Sequence, residues 1–211
     1  MKIFDCFMYY NEDFILDLRL NYLNKFIDFF VIVESLYNHK GEKKNLNFNI
    51  KNYQKFKEKI IYIVLDHLPD SIEIINDNDD ADAKNGKYIL NGYRRDNFQR
   101  NYIINGIKNA SLDDLILISD IDEIPNLKNL NLEEIKNRLI FFKQRMCYYK
   151  FNLYLKSYNW VGTRACKKKN LISPQWLRDI KSRSYPFWRI DTFFSKNKYS
   201  DIYFVNNGGW H

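Results

Sequence analysis

The sequence predicts an α/β fold: a central, mostly parallel, twisted sheet flanked by helices. Three observations predict it. A strand–helix–strand succession fills the first 35 residues, and two strands joined through a helix imply a parallel pair. The continuous apolar run Leu115-Ile116-Leu117-Ile118 has the character of a strand covered on both faces. Ser119 and three carboxylates, Asp120, Asp122 and Glu123, follow it directly, at the edge where open α/β sheets bind ligands.

Each element has its own reason. Residues 2–10 are apolar and β-prone, a first strand. Asn11 is placed to cap a helix, with Glu12 and Asp13 in its positive first turn. Ile15, Leu18, Tyr22 and Phe26, with Leu16, Leu20 and Leu23, give that helix an apolar face. Residues 29–33 read as the second strand, ending in Glu34-Ser35. A short polar helix over 49–58 and a third strand over 60–65 follow.

Residues 71–87 are predicted to be a solvated loop, placed where a lid could lie over a nucleotide site. Its acidic run fails as a calcium loop. Counting back from Gly86 puts Ala81 at the first ligand position and Gly92 where a glutamate is required. Residues 93–108 read as a helix, with Phe98, Tyr102, Ile103 and Ile107 inward and Arg94, Arg95 and Arg100 riding on it. Those arginines suit phosphate or carboxylate contact, or simply a solvated face. Beyond the acidic motif a helix is expected over 130–143, an aromatic strand-like stretch over 146–158 and a short helix over 174–182. Strands are expected over 187–194 and 202–205, before the closing Gly208-Gly209-Trp210-His211.

Composition bounds the possibilities. With 211 residues the chain has the length of one substantial domain, and 17% aromatic content supplies a core. The net charge of +7 is spread out, with Lys167-Lys168-Lys169 the densest cluster, so it favours anionic ligands in general over nucleic acid. Three cysteines without C-x-x-C spacing imply neither a disulfide framework nor a zinc site and fit a reducing compartment. No run is apolar and long enough for a membrane span, since Asp28 interrupts the stretch around residues 26–33. Neither a P-loop nor G-x-G-x-x-G is present. The expectation is a cytoplasmic protein, and the weight of Asn, Lys, Ile, Tyr and Phe is what an AT-rich genome would produce.

In extended chain, residues i and i+2 point to the same side, so Asp120 and Asp122 can converge. Pro125 fixes the backbone just beyond them. Two hard oxygen donors at the mouth of a sheet suit Mg²⁺ or Mn²⁺, and an ion so held suits a diphosphate. The plainer alternative is that these acids are helix caps or solvated loop charges.

Several strings together resemble a known family. They are Phe7-Met8-Tyr9-Tyr10-Asn11-Glu12, Leu16-x-Leu18-Arg19-Leu20, Val31-Ile32-Val33-Glu34-Ser35, Gln99-Arg100-Asn101, Leu117 through Pro125, and Gly208-Gly209-Trp210-His211. In this order they look like glycosyltransferase family 17. The resemblance implies one GT-A-like catalytic domain over 1–211: a nucleotide-binding part, 1–125, ending in D-x-D, and an acceptor-side part, 126–211. It also implies a UDP-sugar donor (UDP-N-acetylglucosamine in animal members), a divalent metal, Mn²⁺ or Mg²⁺, a glycan acceptor and inversion at the anomeric carbon.

Carried onto this chain, Asp120 and Asp122 are the D-x-D acids. Asp122 is the closer metal ligand, and Asp120 lies nearer the ribose or donor sugar. His211 completes the metal shell. Tyr9 and Glu34 sit where the nucleoside would lie, and Arg95 and Arg100 hold acids or diphosphate. The base that takes the acceptor's proton has three candidates, Asp191, Asp179 and Glu123. Trp160, Trp176, Trp188 and Trp210 can stack on sugar faces or fill the core. Family members usually continue past the G-W-H motif, and animal members carry a membrane anchor, so the acceptor expected here is a surface polysaccharide or lipid-linked glycan. Two other classes share the acidic motif: a metal-dependent nuclease or phosphoesterase, and a glycan-binding relative without catalysis.

Overall fold

The computed structural model describes residues 1–148, 150–182, 188 and 201–211. Strands β1 (Ile3–Tyr9) and β2 (Phe29–Ser35) lie parallel, joined through helix α1 (Asp13–Leu23). Strand β3 (Ile60–Leu65) adds beside β2, and β4 (Leu115–Ser119) adds beside β1, both parallel. Helix α2 (Ala81–Tyr102) precedes β4. The remaining elements are β5 (Ile124–Pro125), β6 (Leu139–Tyr148), β7 (Lys150–Lys167), α3 (Pro174–Asp179), β8 (Ile202–Val205) and β9 (Gly209–Trp210). Among the described residues they form one sheet in the order β3-β2-β1-β4-β7-β6-β9-β5, with β8 beside β6. The expected α/β class is therefore observed. A parallel half, β3-β2-β1-β4, continues into a mixed half that begins where β7 runs antiparallel to β4.

Side-chain alternation along the parallel strands builds a core on each face. Phe7, Tyr9, Phe30, Ile32, Leu115 and Leu117 meet α1 through Leu16, Leu20 and Leu23. Phe4, Cys6, Val31, Val33, Ile116 and Ile118 meet Ile103 and Ile107 after α2, and Trp176 and Leu177 of α3. Every residue of β4 is buried, as a strand covered on both sides requires. Each large aliphatic or aromatic side chain so buried contributes about 1.5–3 kcal/mol. Among the described residues no helix is long and apolar enough to cross a membrane.

Four local expectations are corrected. Asn11 does not cap α1. Glu12 holds the cap position, and its carboxylate accepts from the backbone N–H groups of Tyr10 and Asn11 instead. Leu18 is exposed; the buried stripe of α1 runs Leu16, Arg19, Leu20, Leu23 and so contains a charge.

The loop expected over 71–87 ends at Asp80. There the carboxylate caps Ala83 N at 2.7 Å, and α2 starts a full dozen residues before its expected beginning at 93. Its first turns were illegible because they carry no apolar period: among its buried residues only Asn91 appears, bonded both ways to the backbone of Glu73.

The helix expected over 130–143 is absent. A turn spans 132–134, and Leu139 to Phe142 are buried in β6 between β7 and β8. Pairing on both sides overrides whatever helical preference the stretch has. The aromatic stretch over 146–158 joins the β6 and β7 strands, and the strand expected over 187–194 lies, Trp188 apart, outside the described residues.

Asp80→Ala tests the early start of α2. It is expected to cost about 1 kcal/mol and to speed amide exchange in the first turns of α2 while exchange in β1 and β4 stays unchanged. Unaltered exchange there would place the helix start further along.

Candidate active site

The site begins with a buried ion pair beneath the acidic turn. Arg19, on the core face of α1, and Asp5, in β1, are both fully buried. Their contact is bidentate: Nη2 to Oδ1 at 2.6 Å and Nε to Oδ2 at 2.7 Å. The remaining nitrogen, Nη1, donates to the carbonyl oxygens of Asp120, Ile121 and Glu123 at 3.2, 3.0 and 2.9 Å. One guanidinium thus holds the backbone of the turn that carries all three acids. It also lies 4.7 Å from the centroid of the Phe7 ring.

Above the backbone the acids have different surroundings. Asp120 is clamped by two guanidiniums, Arg100 Nη2 to Oδ1 at 3.0 Å and Arg178 Nη2 to Oδ2 at 2.9 Å. Burial opposes its ionisation, but Arg178 and Arg100 outweigh burial and hold the carboxyl below its ordinary value. Glu123 is fully buried and accepts from Arg178, from Trp160 Nε1 and from Asp120 N. Asp122 alone is half exposed, at 51%. Burial raises its pKa and Glu123 and Asp120 raise it further, against the opposing pull of His211 and a backbone hydrogen bond.

His211 reaches Asp122 from the far end of the chain. Strand β9 pairs antiparallel with β5 and lies parallel beside β6. His211 N donates to Arg145 O at 2.9 Å, and Cys147 N donates to His211 O at 2.6 Å. Gly209 makes this possible: its φ is +123°, and a Cβ there would lie 2.0 Å from Ile124 O. The imidazole packs on the Trp160 ring, centroids 4.9 Å apart, and its Nε2 stands 3.8 Å from Asp122 Oδ2.

A cavity of about 430 Å³ opens beside this turn, at the C-terminal ends of the parallel strands. Asp120, Ile121 and Asp122 form one wall; Tyr10, Glu12, Tyr37, His67 and Arg95 line others. Arg95 faces it while donating Nε and Nη2 to His39 O at 2.9 and 2.6 Å, and Gly41 packs under the guanidinium with φ +88°. Burial lowers the Arg95 pKa. Arg94 serves elsewhere, paired with Glu73 at 2.9 Å.

The structure brings together Asp120, Asp122, Arg95, Arg100 and His211. Tyr9 lines the cavity, but its hydroxyl donates to Asp13 Oδ1 at 2.6 Å, an acceptor it shares with Tyr53. Glu34 is fully buried and spends both oxygens inside the protein, on Lys44, Asn47 N, Phe48 N and Tyr62. It pins the 44–48 loop to β2, and its neighbour Ser35 lines the cavity in its place. Asp179 accepts from Gln175 Nε2 at 2.8 Å, and Gln175 in turn accepts from Arg100. Asp191 lies outside the described residues.

Arg19, Arg178 and the Trp160 indole N–H were missed in the sequence. Arg19 left a signal, a charge inside the apolar stripe of α1. Arg178 left none, since it comes to the site through α3, whose end is capped by Arg164 on the carbonyls of Leu177, Arg178 and Ile180.

Among the described residues no group of three His, Cys, Asp or Glu side chains could hold a metal ion. Two donors nonetheless fit one. Adjacent ligands on an octahedral cation with bonds near 2.1 Å stand about 3 Å apart, so Asp122 and His211 need close only slightly. Such ions characteristically take one or two protein donors and fill the shell with phosphate oxygens and water. Asp120 carries one guanidinium on each oxygen, so an ion there would share its carboxylate with Arg100 and Arg178.

A parallel sheet ending in an acidic turn over a ligand-sized cavity defines a GT-A-like α/β fold. The chain belongs to glycosyltransferase family 17, whose family model matches residues 1–211. It is 29% identical over 120 residues to the human beta-1,4-mannosyl-glycoprotein 4-beta-N-acetylglucosaminyltransferase, a match covering 54% of this chain and 20% of that protein. The rat protein of that name matches equally, and the mouse protein is 28% identical over the same length. The matched stretch thus spans about a fifth of the length of these curated relatives.

Two outcomes are expected of the charges. Arg19→Met strands Asp5 as an unpaired buried carboxylate and should cost about 3–5 kcal/mol, read by urea unfolding. Because Asp120 titrates below its ordinary value, its ion pairs contribute fully above about pH 4 and are lost as pH falls through the folded-state pKa. Asp120→Asn should therefore be less stable than wild type at neutral pH and lose less on acidification. An unchanged acid limb in pH-dependent unfolding would contradict the clamp.

Proposed function

We propose that the protein is a metal-assisted, inverting glycosyltransferase that moves a sugar, N-acetylglucosamine from its UDP donor, to a hydroxyl of a glycan. The observation that carries the reading is the convergence of Asp122 and His211, 3.8 Å apart, at the lip of a cavity lined by Asp120 and Arg95. Its volume, about 430 Å³, falls within the roughly 300–1,000 Å³ of small-molecule sites. Family membership and the named relatives support the sugar donor.

In this reading Asp122 and His211 hold the divalent ion. Once bound, the ion supplies neutralisation of the departing diphosphate. Arg95 adds a cation on the cavity wall, preset by its bond to the His39 carbonyl, where diphosphate oxygens can replace water. Asp120 is fixed by Arg100 and Arg178 with its carboxylate ionised, which suits it to accept hydrogen bonds from donor hydroxyls. The acceptor's proton must go to a general base, for which we take a carboxylate. Glu123 and Asp179 are bonded within the protein, and Asp191 remains our candidate for the base.

Calorimetric titration of UDP and of UDP-N-acetylglucosamine, with and without Mn²⁺, tests the reading. Binding is expected to require Mn²⁺ and to be lost in Asp122→Ala and weakened in His211→Ala. Binding that ignores the metal, or survives Asp122→Ala unchanged, would refute the metal assignment. Cleavage of DNA or RNA in Mn²⁺ would instead favour a phosphoesterase.

A further inference from the structure

The two halves of the proposed ion site come from chain segments almost ninety residues apart, yet both rest on one carboxylate. Glu123 Oε1 accepts from Trp160 Nε1 at 2.6 Å and Arg178 Nη2 at 2.9 Å. Glu123 Oε2 accepts from Arg178 Nη1 at 2.7 Å and Asp120 N at 2.9 Å. Four donors occupy the roughly four acceptor positions of an ionised carboxylate. The side chain is fully buried, so no acceptor hydroxyl reaches it.

Each partner passes the constraint on. Arg178 Nη2 also holds Asp120 Oδ2, at 2.9 Å, and Nη1 also donates to Gly162 O at 2.7 Å. Trp160, anchored through its N–H, presents the ring on which His211 packs. Gly162 gives the carboxylate room, since a Cβ there would stand 2.9 Å from Glu123 Cδ.

We propose that Glu123 is a positioning residue. It aligns Asp120 through Arg178 and His211 through Trp160, so that the acidic turn and the C-terminal histidine are set as one unit. The proposal rests on the donor-site reading for its function, but the alignment itself can be measured without a donor. Groups that orient metal ligands from behind commonly change affinity by about 10–100-fold when removed.

Two variants separate the outcomes. Glu123→Gln keeps the shape but places an amide N–H₂ against partners that are all donors. Trp160→Phe keeps a ring and deletes only the indole with its N–H. The first readout is the ¹H–¹⁵N spectrum of the ligand-free protein. Glu123→Gln is expected to move the His211 imidazole resonances as well as the Trp160 indole N–H, although Glu123 and His211 do not bond to each other. Unmoved His211 resonances in folded Glu123→Gln would overturn the proposal.

The second readout is UDP binding in Mn²⁺. Each variant is expected to weaken it by about tenfold, with the double variant little worse than the poorer single one, because both act through one network. A Glu123→Gln enzyme that binds UDP and Mn²⁺ as wild type does, yet loses turnover and the acid limb of its pH profile, would make Glu123 the base and overturn positioning. If wild type itself binds no UDP in Mn²⁺, the donor reading fails, while the spectra still decide the alignment.

Discussion

Everything at the acidic turn depends on the buried Arg19–Asp5 pair. A turn following a fully buried strand exposes carbonyl oxygens to the protein interior, where each needs a donor. Arg19 supplies three of them from one nitrogen, and its charge is matched by a carboxylate in the neighbouring strand. The cost of burying both charges is offset because all three guanidinium nitrogens and both carboxylate oxygens are hydrogen-bonded. The pair therefore ties α1 and β1 to the end of β4, and it settles the backbone from which Asp120, Asp122 and Glu123 project.

On the other side of that backbone the charges are arranged unequally. Arg178 and Arg100 satisfy Asp120, and Arg178 with Trp160 satisfies Glu123. Among the described residues no guanidinium pairs with Asp122, and burial and two neighbouring acids make its charge costly. A cation beside it would relieve that cost, with His211 the nearest second donor. The same unevenness separates three acids that lie within four positions of sequence: one clamped by guanidiniums, one fully buried, one half exposed.

The fold class was legible because it rests on local pattern. The run Leu115 to Ile118, the βαβ succession and the alternating strands need no distant partner to be read. Where reading failed, distant partners decided. Leu139 to Phe142 look as helical as strand-like until β7 and β8 lie on either side. The beginning of α2 bears no apolar period because it packs through a single buried asparagine.

Of the candidate site, Asp120, Asp122 and His211 could be named from the sequence, since D-x-D follows a buried strand and G-G-W-H resembles the family's motif. Glu34 was also named, as a nucleoside contact, yet its carboxylate turns inward to the 44–48 loop, because strand alternation decides direction and the loop's position is not encoded locally. What the sequence by itself determined is the parallel sheet and the acids at its edge, through hydrophobic period and strand-end placement. Only the tertiary structure decided which acid is clamped and which stays exposed, because that depends on Arg19, Arg100 and Arg178, guanidiniums brought from two helices and a short third. Side-chain charges more than fifty residues apart, such as Arg178 and Asp120, meet only after the chain has packed.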